Sequence, residues 1–188
     1  MTLGLGAKLS LFVPTRPRRD ALVRFLSGVS QQEDDPAIRA LREAARGSVA
    51  VAFEDGGLLQ WLDAWQNTVL PADFRASEPS RQARQRARGI LAALGHGAEA
   101  IARQAPEELS LLEARLVGFV KAMLLEPQLL VLDGLFERLG PQECREVRRW
   151  IDYCAERYPL RRMLYVGLSE VQPALLAGFE PLGAEATA

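Results

Sequence analysis

The sequence has few residues of the kinds that crosslink a chain or hold a metal ion. Its 188 residues include two cysteines, Cys144 and Cys154, and one histidine, His96. Two thiols cannot build a disulfide framework or a metal site by themselves, and one imidazole cannot form a histidine cluster. These absences exclude a disulfide-stabilised scaffold and a histidine-based metal protein, and we predict no metal site.

Long apolar runs and an excess of charge of one sign are also missing. The most apolar stretch, residues 116–125, is interrupted by Lys121 and is too short to cross a bilayer. Residues 1–10 have no apolar run after a basic start, so we expect no signal peptide and a cytoplasmic location. A formal net charge of −1 gives no reason to expect nucleic acid or an acidic membrane surface as a direct partner.

What the sequence does contain is short apolar runs that alternate with amphipathic segments. Strands are predicted at 9–13, 48–53, 129–132 and 162–168, and helices at 18–29, 37–46, 61–69, 80–94, 98–105, 111–125 and 141–158. Asp35 is predicted to cap the second helix, with Pro36 at its first position. Strands alternating with helices favour an α/β fold, in which helices cover both faces of a mostly parallel sheet.

The helical block between the second and third strands is too long for a single crossover connection. We predict an inserted helical subdomain at about 56–126, within a single domain that spans 1–188 and has its core at about 1–55 and 127–180. The tail from Pro181 is small and polar, and we expect it to fray.

Residues 109–141, LSLLEARLVGFVKAMLLEPQLLVLDGLFERLGP, resemble the ATPase subunits of ABC transporters. In that family a signature LSGGQ leads through a helix into a strand ending in Asp-Glu-Pro, and then into a Gly-Leu-Asp-Pro turn. The positions that match at ungapped spacing are Leu109, Ser110, Arg115, Glu126, Pro127, Asp133, Phe136, Leu139 and Pro141.

The rest of the chain follows the same order of family motifs. Residues 13–29 lie where the family has its phosphate loop, residues 53–59 at the Q-loop, and residues 164–169 at the strand and switch histidine. The Q-loop neighbourhood is most similar to ATPases of Mla/MCE-type lipid transporters. The resemblance implies a P-loop NTPase-like fold of ABC type, whose N-terminal antiparallel β subdomain and adenine platform are reduced or missing here.

The resemblance also implies that the phosphate loop is degenerate. Its three glycines fall on Val13, Arg16 and Arg18, its lysine on Arg19, and its Mg²⁺-binding hydroxyl on Asp20. Such a loop works because glycines let successive backbone N–H groups face the phosphates. Arginine and proline side chains crowd that backbone, so we expect neither ATP nor Mg²⁺ as a cofactor. An unconventional anion site on the three arginines stays open as an alternative.

The other catalytic positions of the family are replaced as well. Gly134 stands for the water-polarising glutamate beside Asp133, Leu168 for the switch histidine, and Glu54 for the Q-loop glutamine. Asp133 is equally well explained as a solvated residue at a strand end. Ser110 survives from the signature, where leucines replace the two glycines, and a helix N-cap is favoured for it over phosphate binding.

Residues Gly57, Leu58, Leu59, Trp61 and Trp65 lie where the family receives the coupling helix of a permease. Trp61 and Trp65 are four residues apart and are predicted to share a helix face. A place in the core is favoured for both, and a partner-docking groove is the alternative.

Together these features predict a pseudo-ATPase, a non-catalytic subunit that docks a permease, an active ATPase, or both, in a transporter for lipids. It would reach the membrane only through its permease, and a dimer is compatible with the family. Two alternatives stay open: a stand-alone scaffold module, and an enzyme with a weak, unusual nucleotide or anion site.

Overall fold

The computed structural model describes residues 4–73 and 80–182. The chain divides into two compact units, the first made of residues 1–51 and 127–188 and the second of residues 52–126. The sequence pattern placed the helical subdomain at about 56–126, close to the second unit. The described helices include none that is long and apolar enough to cross a membrane.

The order of elements alternates strands and helices, as predicted. The strands are β1 (Lys8–Phe12), β2 (Val49–Ala52), β3 (Leu129–Asp133), β4 (Arg162–Gly167) and β5 (Glu180–Pro181). The helices are α1 (Arg16–Leu26), α2 (Pro36–Ala44), α3 (Ala64–Asp73), α4 (Ser80–Ala93), α5 (Ala98–Ile101), α6 (Leu111–Leu124) and α7 (Pro141–Arg157). Short 3₁₀ turns lie at Pro106–Glu108 and Pro173–Leu176.

The sheet of the first unit has the strand order β2-β3-β4-β1-β5. β1 pairs in parallel with β4 and with β5, and β3 pairs in parallel with β4. All residues of β3 and β4 are buried, which explains why both strands read as continuous apolar runs rather than as alternating patterns. The predicted α/β class with a parallel sheet is confirmed.

The core of the first unit forms where α1 and α2 pack against the sheet. Leu22 and Leu26 of α1 are four residues apart on one helix face, and both are buried with Val131 and Leu164 of the central strands. The Asp35 carboxylate accepts a hydrogen bond from the N–H of Ala37 at 2.8 Å, so the predicted cap of α2 is confirmed.

Two helices end earlier than predicted, α1 at Leu26 rather than 29 and α5 at Ile101 rather than 105, and two further predictions about local structure are wrong. Residues 61–63 form a turn rather than helix, because α3 begins only at Ala64. The tail does not fray at Pro181, since that residue belongs to β5 and the N–H of Leu182 donates to Ser10 O at 2.8 Å. Strand β5 has two residues, and no apolar run marks it. The rest of the predicted tail lies outside the described residues.

In the second unit a glycine turn lies directly on α6. A Cβ on Gly118, in the middle of α6, would stand 2.3 Å from Gly56 O. Gly56 has a φ of +83°, and a Cβ there would lie 2.3 Å from Ala114 O. The backbone of the turn therefore contacts the helix backbone without any side chain between them, which only glycine allows at these two positions.

We predict that Gly118→Ala lowers the apparent free energy of unfolding by about 1–3 kcal/mol, the range typical of overpacking. Gly89→Ala in α4 is the matched control, because a Cβ at Gly89 meets nothing within 4 Å. Alanine favours helix over glycine there, so Gly89→Ala raises stability by up to about 1 kcal/mol. Urea unfolding followed by circular dichroism measures both variants, and equal stabilities would contradict the close contact.

Candidate functional site

The positions that the resemblance assigned to nucleotide chemistry in the first unit meet at one edge of the sheet. Val13 follows β1, Asp133 ends β3, and Leu168 follows β4. The carboxyl ends of parallel strands lie at the same edge, and ligands of α/β proteins bind there. Helix α1 begins at this edge and brings Arg19 to it.

Arg19, at the position of the family's lysine, lies inside the protein with 1% of its surface exposed. Its Nε is 3.1 Å from Asp133 Oδ1, and its Nη1 is 2.9 Å from Glu137 Oε2. The other oxygen of Glu137 accepts a hydrogen bond from the N–H of Leu168 at 2.7 Å. One guanidinium and two carboxylates thus connect α1, the end of β3 and Leu168 after β4. We call these three residues, Arg19, Asp133 and Glu137, the ion triad.

Gly134 provides the space that the ion triad needs. It has a φ of +60°, and a Cβ at this position would stand 2.5 Å from Arg19 Nη1. A side chain here would push the guanidinium away from both carboxylates, and it would also strain the left-handed backbone. Glycine at position 134 and arginine at position 19 are therefore structurally coupled.

The backbone between β1 and α1 does not have the form of a phosphate cradle. Only residues 13–15 separate the strand from the helix, because α1 already begins at Arg16. Pro14 and Pro17 have no N–H. The N–H of Val13 donates to Gly167 O at 2.9 Å, and the N–H of Arg19 donates to Thr15 O at 3.1 Å. These residues do not fit a triphosphate with Mg²⁺ in the manner of a phosphate loop, because two of them have no N–H and the N–H groups of Val13, Arg18 and Arg19 bond within the fold.

Arg18 and Arg16, the other arginines of this segment, do not contribute to the ion triad. Arg18 donates from both terminal nitrogens to Glu33, at 2.9 and 2.6 Å, and the Glu33 side chain is 1% exposed. This paired hydrogen bond lowers the pKa of Glu33 and raises the pKa of Arg18. Arg16 and Asp20 are exposed on α1. The alternative of an anion site on the three arginines stays a prediction, and two of its members bind carboxylates of the protein itself.

Glu54 and Ser110 lie in the second unit. Ser110 caps α6: its Oγ accepts from the N–H of Glu113 at 3.3 Å, and the Glu113 carboxylate accepts from the N–H of Ser110 at 2.8 Å. The hydrogen bonds from Ser110 also lower the pKa of Glu113. The favoured N-cap interpretation of Ser110 is therefore correct. Glu54 is buried, and its carbonyl oxygen accepts from Arg115 Nε at 2.6 Å.

The proposed docking residues surround an ordered turn. Buried Asn67 fixes this turn, since its amide accepts from the N–H of Leu59 at 2.8 Å and donates to the carbonyl oxygens of residues 59, 62 and 63. Lys121 Nζ donates to Gly57 O at 3.0 Å, and burial lowers the pKa of Lys121. Leu58 and Leu59 are half-buried.

The two tryptophans have different environments, so the expectation of a shared core face is wrong. Trp61 is 78% exposed because its turn precedes α3 and directs the ring away from the core. Trp65 is half-buried in α3, and the Arg88 guanidinium lies 5.0 Å from its ring centroid.

Sequence reasoning missed three residues that organise these regions: Glu137, Glu33 and Asn67. The signal for the two glutamates is chemical, since an arginine that enters a core requires an anionic partner. Glu137 lies within residues 109–141 but is not one of the matching positions, and Glu33 lies outside the segments that the resemblance used. No individual role was predicted for Asn67, although buried amides commonly bind loop backbone.

The comparison with curated proteins finds ATP-binding subunits of ABC importers. The chain is 24% identical over 160 residues to the sulfate/thiosulfate import ATP-binding protein CysA of Nephroselmis olivacea, which covers 82% of this chain and 46% of the relative. It is 30% identical over 144 residues to the taurine import ATP-binding protein TauB of Pseudomonas aeruginosa, covering 74% of this chain and 53% of the relative. The chain thus spans about half the length of the curated relatives it matches. No family model matches.

The solved structures show the same fold. A dimeric bacterial ABC transporter cassette superposes with a TM-score of 0.72 at 16% identity, covering 97% of this chain and 83% of that chain. The cbiO1 protein of Clostridium perfringens gives a TM-score of 0.69 at 17% identity, covering 94% of this chain and 73% of that chain. The relatives together with these neighbours support the family that the motifs indicated, the ATPase domains of ABC transporters.

We predict that Arg19→Met destabilises the protein by about 3–5 kcal/mol, because it leaves two buried carboxylates without their cation. Adding Asp133→Asn and Glu137→Gln removes those charges and restores at least half of the loss. Arg16→Met, the same change on the exposed start of α1, shifts stability by no more than about 0.5 kcal/mol. Thermal and urea unfolding measure all three. A stable Arg19→Met protein would contradict a structural role for the ion triad.

Proposed function

We propose that this chain is a pseudo-ATPase: a non-catalytic subunit of ABC type that supports the assembly or regulation of a membrane transporter. The observation that carries the proposal is the ion triad. Arg19 lies where the family needs a lysine for the outer phosphates, and it is committed to Asp133 and Glu137.

The charge of the ion triad argues against a phosphate ligand. One guanidinium and two carboxylates sum to one negative charge, so the ion triad itself repels a triphosphate rather than attracting it. Asp133, the residue that would orient Mg²⁺, has Arg19 Nε at 3.1 Å instead. A divalent cation there would meet the guanidinium, and a buried arginine does not lose its proton.

The exposed turn before α3 supports a role in protein contacts. Trp61 presents most of its ring to solvent on a turn that Asn67 holds with several hydrogen bonds. Exposed tryptophans on ordered backbone are enriched where proteins bind proteins, since little conformational entropy is lost on docking. We propose this turn, with Leu58 and Leu59, as the contact for a permease or for an active ATPase subunit.

The cargo of such a transporter is not part of the proposal. The names of the relatives concern sulfate, thiosulfate and taurine, while the Q-loop resemblance concerned lipid transporters. A cytoplasmic motor domain does not contact the cargo, so neither similarity selects one. Lipids therefore stay one candidate cargo beside sulfate, thiosulfate and taurine.

We predict that millimolar ATP with Mg²⁺ gives no binding heat in calorimetry and no rise in melting temperature. A ligand at one hundred times its Kd stabilises a protein by about 2.7 kcal/mol, which a melting curve detects easily. Saturable Mg²⁺-dependent binding that Asp133→Asn abolishes would overturn the pseudo-ATPase proposal and favour the enzyme alternative.

We predict that the tagged chain, purified from native membranes, retains a permease or an intact ATPase subunit, and that Trp61→Glu loses this partner. Val29→Glu is the matched control, because Val29 is 68% exposed and lies in the first unit. Mass spectrometry identifies the retained proteins. Specific partners that all lack membrane segments and transporter homology would instead support the scaffold alternative, and retention by Trp61→Glu would exclude this turn as the contact.

A further inference from the structure

A cavity of about 660 Å³ lies at the opposite edge of the sheet, within the first unit. Its lining residues precede or begin the strands: Leu5 comes before β1, Gln128 before β3, and Arg162 begins β4. Pockets for small organic ligands have volumes of about 300–1,000 Å³, so this space is large enough for one.

The cavity is strongly basic. Four arginines line it, Arg46, Arg157, Arg161 and Arg162, and among the described residues of its lining none is acidic. Arg161 and Arg162 are adjacent in sequence, and both are more than nine-tenths buried. Arg162 donates to Ala44 O at 3.5 Å.

Arg161 is the most informative member of this group. Its guanidinium lies 3.9 Å from the ring centroid of Tyr158, and its Nη1 is 3.9 Å from the Cys154 sulfur. Within residues 4–73 and 80–182, the structure gives this guanidinium no carboxylate partner. The ring and the sulfur compensate part of the hydration energy that this buried cation has lost, and an anionic group in the cavity would return more of it.

The remaining walls are apolar and partly open. Leu5 and Leu160 are both 66% exposed, and Pro127 and Pro159 stand beside them. The N–H of Gly6 donates to Leu160 O at 3.0 Å, which holds the two leucine-bearing segments together. A ligand whose charged head reaches the arginines would place its body against these leucines.

We propose that this cavity binds a small amphiphilic oxyanion: a phosphate or carboxylate head held by Arg161 and its neighbouring arginines, with a short apolar body against Leu5 and Leu160. Arginine is suited to such heads because its planar fork donates two parallel hydrogen bonds to an oxyanion. The site lies at the opposite edge of the sheet from the ion triad. The proposal for this site therefore does not depend on the pseudo-ATPase proposal.

Octyl phosphate is the probe, used below its micelle concentration, and octyl glucoside is the uncharged control with the same chain. We expect octyl phosphate to raise the melting temperature of the wild-type protein in a saturable way, and octyl glucoside and inorganic phosphate to have a much smaller effect. A rise with octyl glucoside as large as that with octyl phosphate would overturn the proposal. An equal rise with inorganic phosphate would overturn the requirement for an apolar body.

Leu160→Glu tests the location, because it introduces a carboxylate at an exposed wall of the cavity and leaves the core unchanged. We expect calorimetry to show at least about a tenfold weaker affinity for octyl phosphate. Val29→Glu makes the same charge change at an equally exposed residue of the same unit and retains wild-type affinity. Equal weakening in both variants would show general charge repulsion and overturn the site. Arg161→Met removes the cation itself, and we expect it to weaken the affinity for octyl phosphate, while Arg149→Met, the same change at an exposed arginine, retains it.

The amphiphile could be free in solution or presented by a membrane, and flotation with vesicles distinguishes these sources. Octyl phosphate binding without flotation on vesicles that contain phosphatidic acid supports a soluble ligand. Flotation that Leu160→Glu abolishes and Val29→Glu retains supports a lipid headgroup. Absence of both octyl phosphate binding and flotation overturns the proposal.

Discussion

The ion triad is the contact on which the rest of the sheet edge depends. A guanidinium that is 1% exposed lies between the carboxylates of Asp133 and Glu137, and through Glu137 it reaches the backbone N–H of Leu168. Removing one partner of a buried ion pair leaves an uncompensated charge at a cost of several kcal/mol. The triad therefore holds the first helix, the end of β3 and the segment after β4 in one arrangement.

This arrangement makes the residues at the edge depend on one another. A glutamate at position 134 would need the space that Arg19 Nη1 occupies, and a shorter cation at position 19 would release two buried carboxylates. A phosphate loop would further require the first turn of α1 to unwind, since the N–H of Arg19 is bonded within the helix start. Single substitutions toward the family's motifs at this edge would therefore each disrupt a packed contact of the ion triad.

Features of this structure could be predicted from the sequence when the residues that interact lie close together along the chain. Buried strands such as β3 and β4 and the caps at Asp35 and Ser110 depend on neighbours within a few residues, so a local pattern reveals them. The role of Glu137 depends on a partner 118 residues away, which no local pattern shows. The position of Trp61 was predicted wrongly for a related reason. Its spacing from Trp65 fits a helix, but residues 61–63 form a turn whose carbonyl oxygens bind Asn67, a residue farther along the chain. Strand β5 is set by pairing with β1 and not by its own composition.

The two edges of the sheet show that arginine by itself does not define an anion site. At the carboxyl edge Arg18 and Arg19 have Glu33, Asp133 and Glu137 as partners, so their charges are neutralised within the fold. At the amino edge Arg161 is buried almost as deeply as Arg19, but a ring and a thiol are its neighbours. Since the desolvation of a guanidinium is costly at both edges, the supply of carboxylates decides which edge has positive charge left to offer a ligand. By that criterion the carboxyl edge, which resembles a nucleotide site, is satisfied internally, and at the amino edge Arg161 is the buried cation whose surroundings favour an external anion.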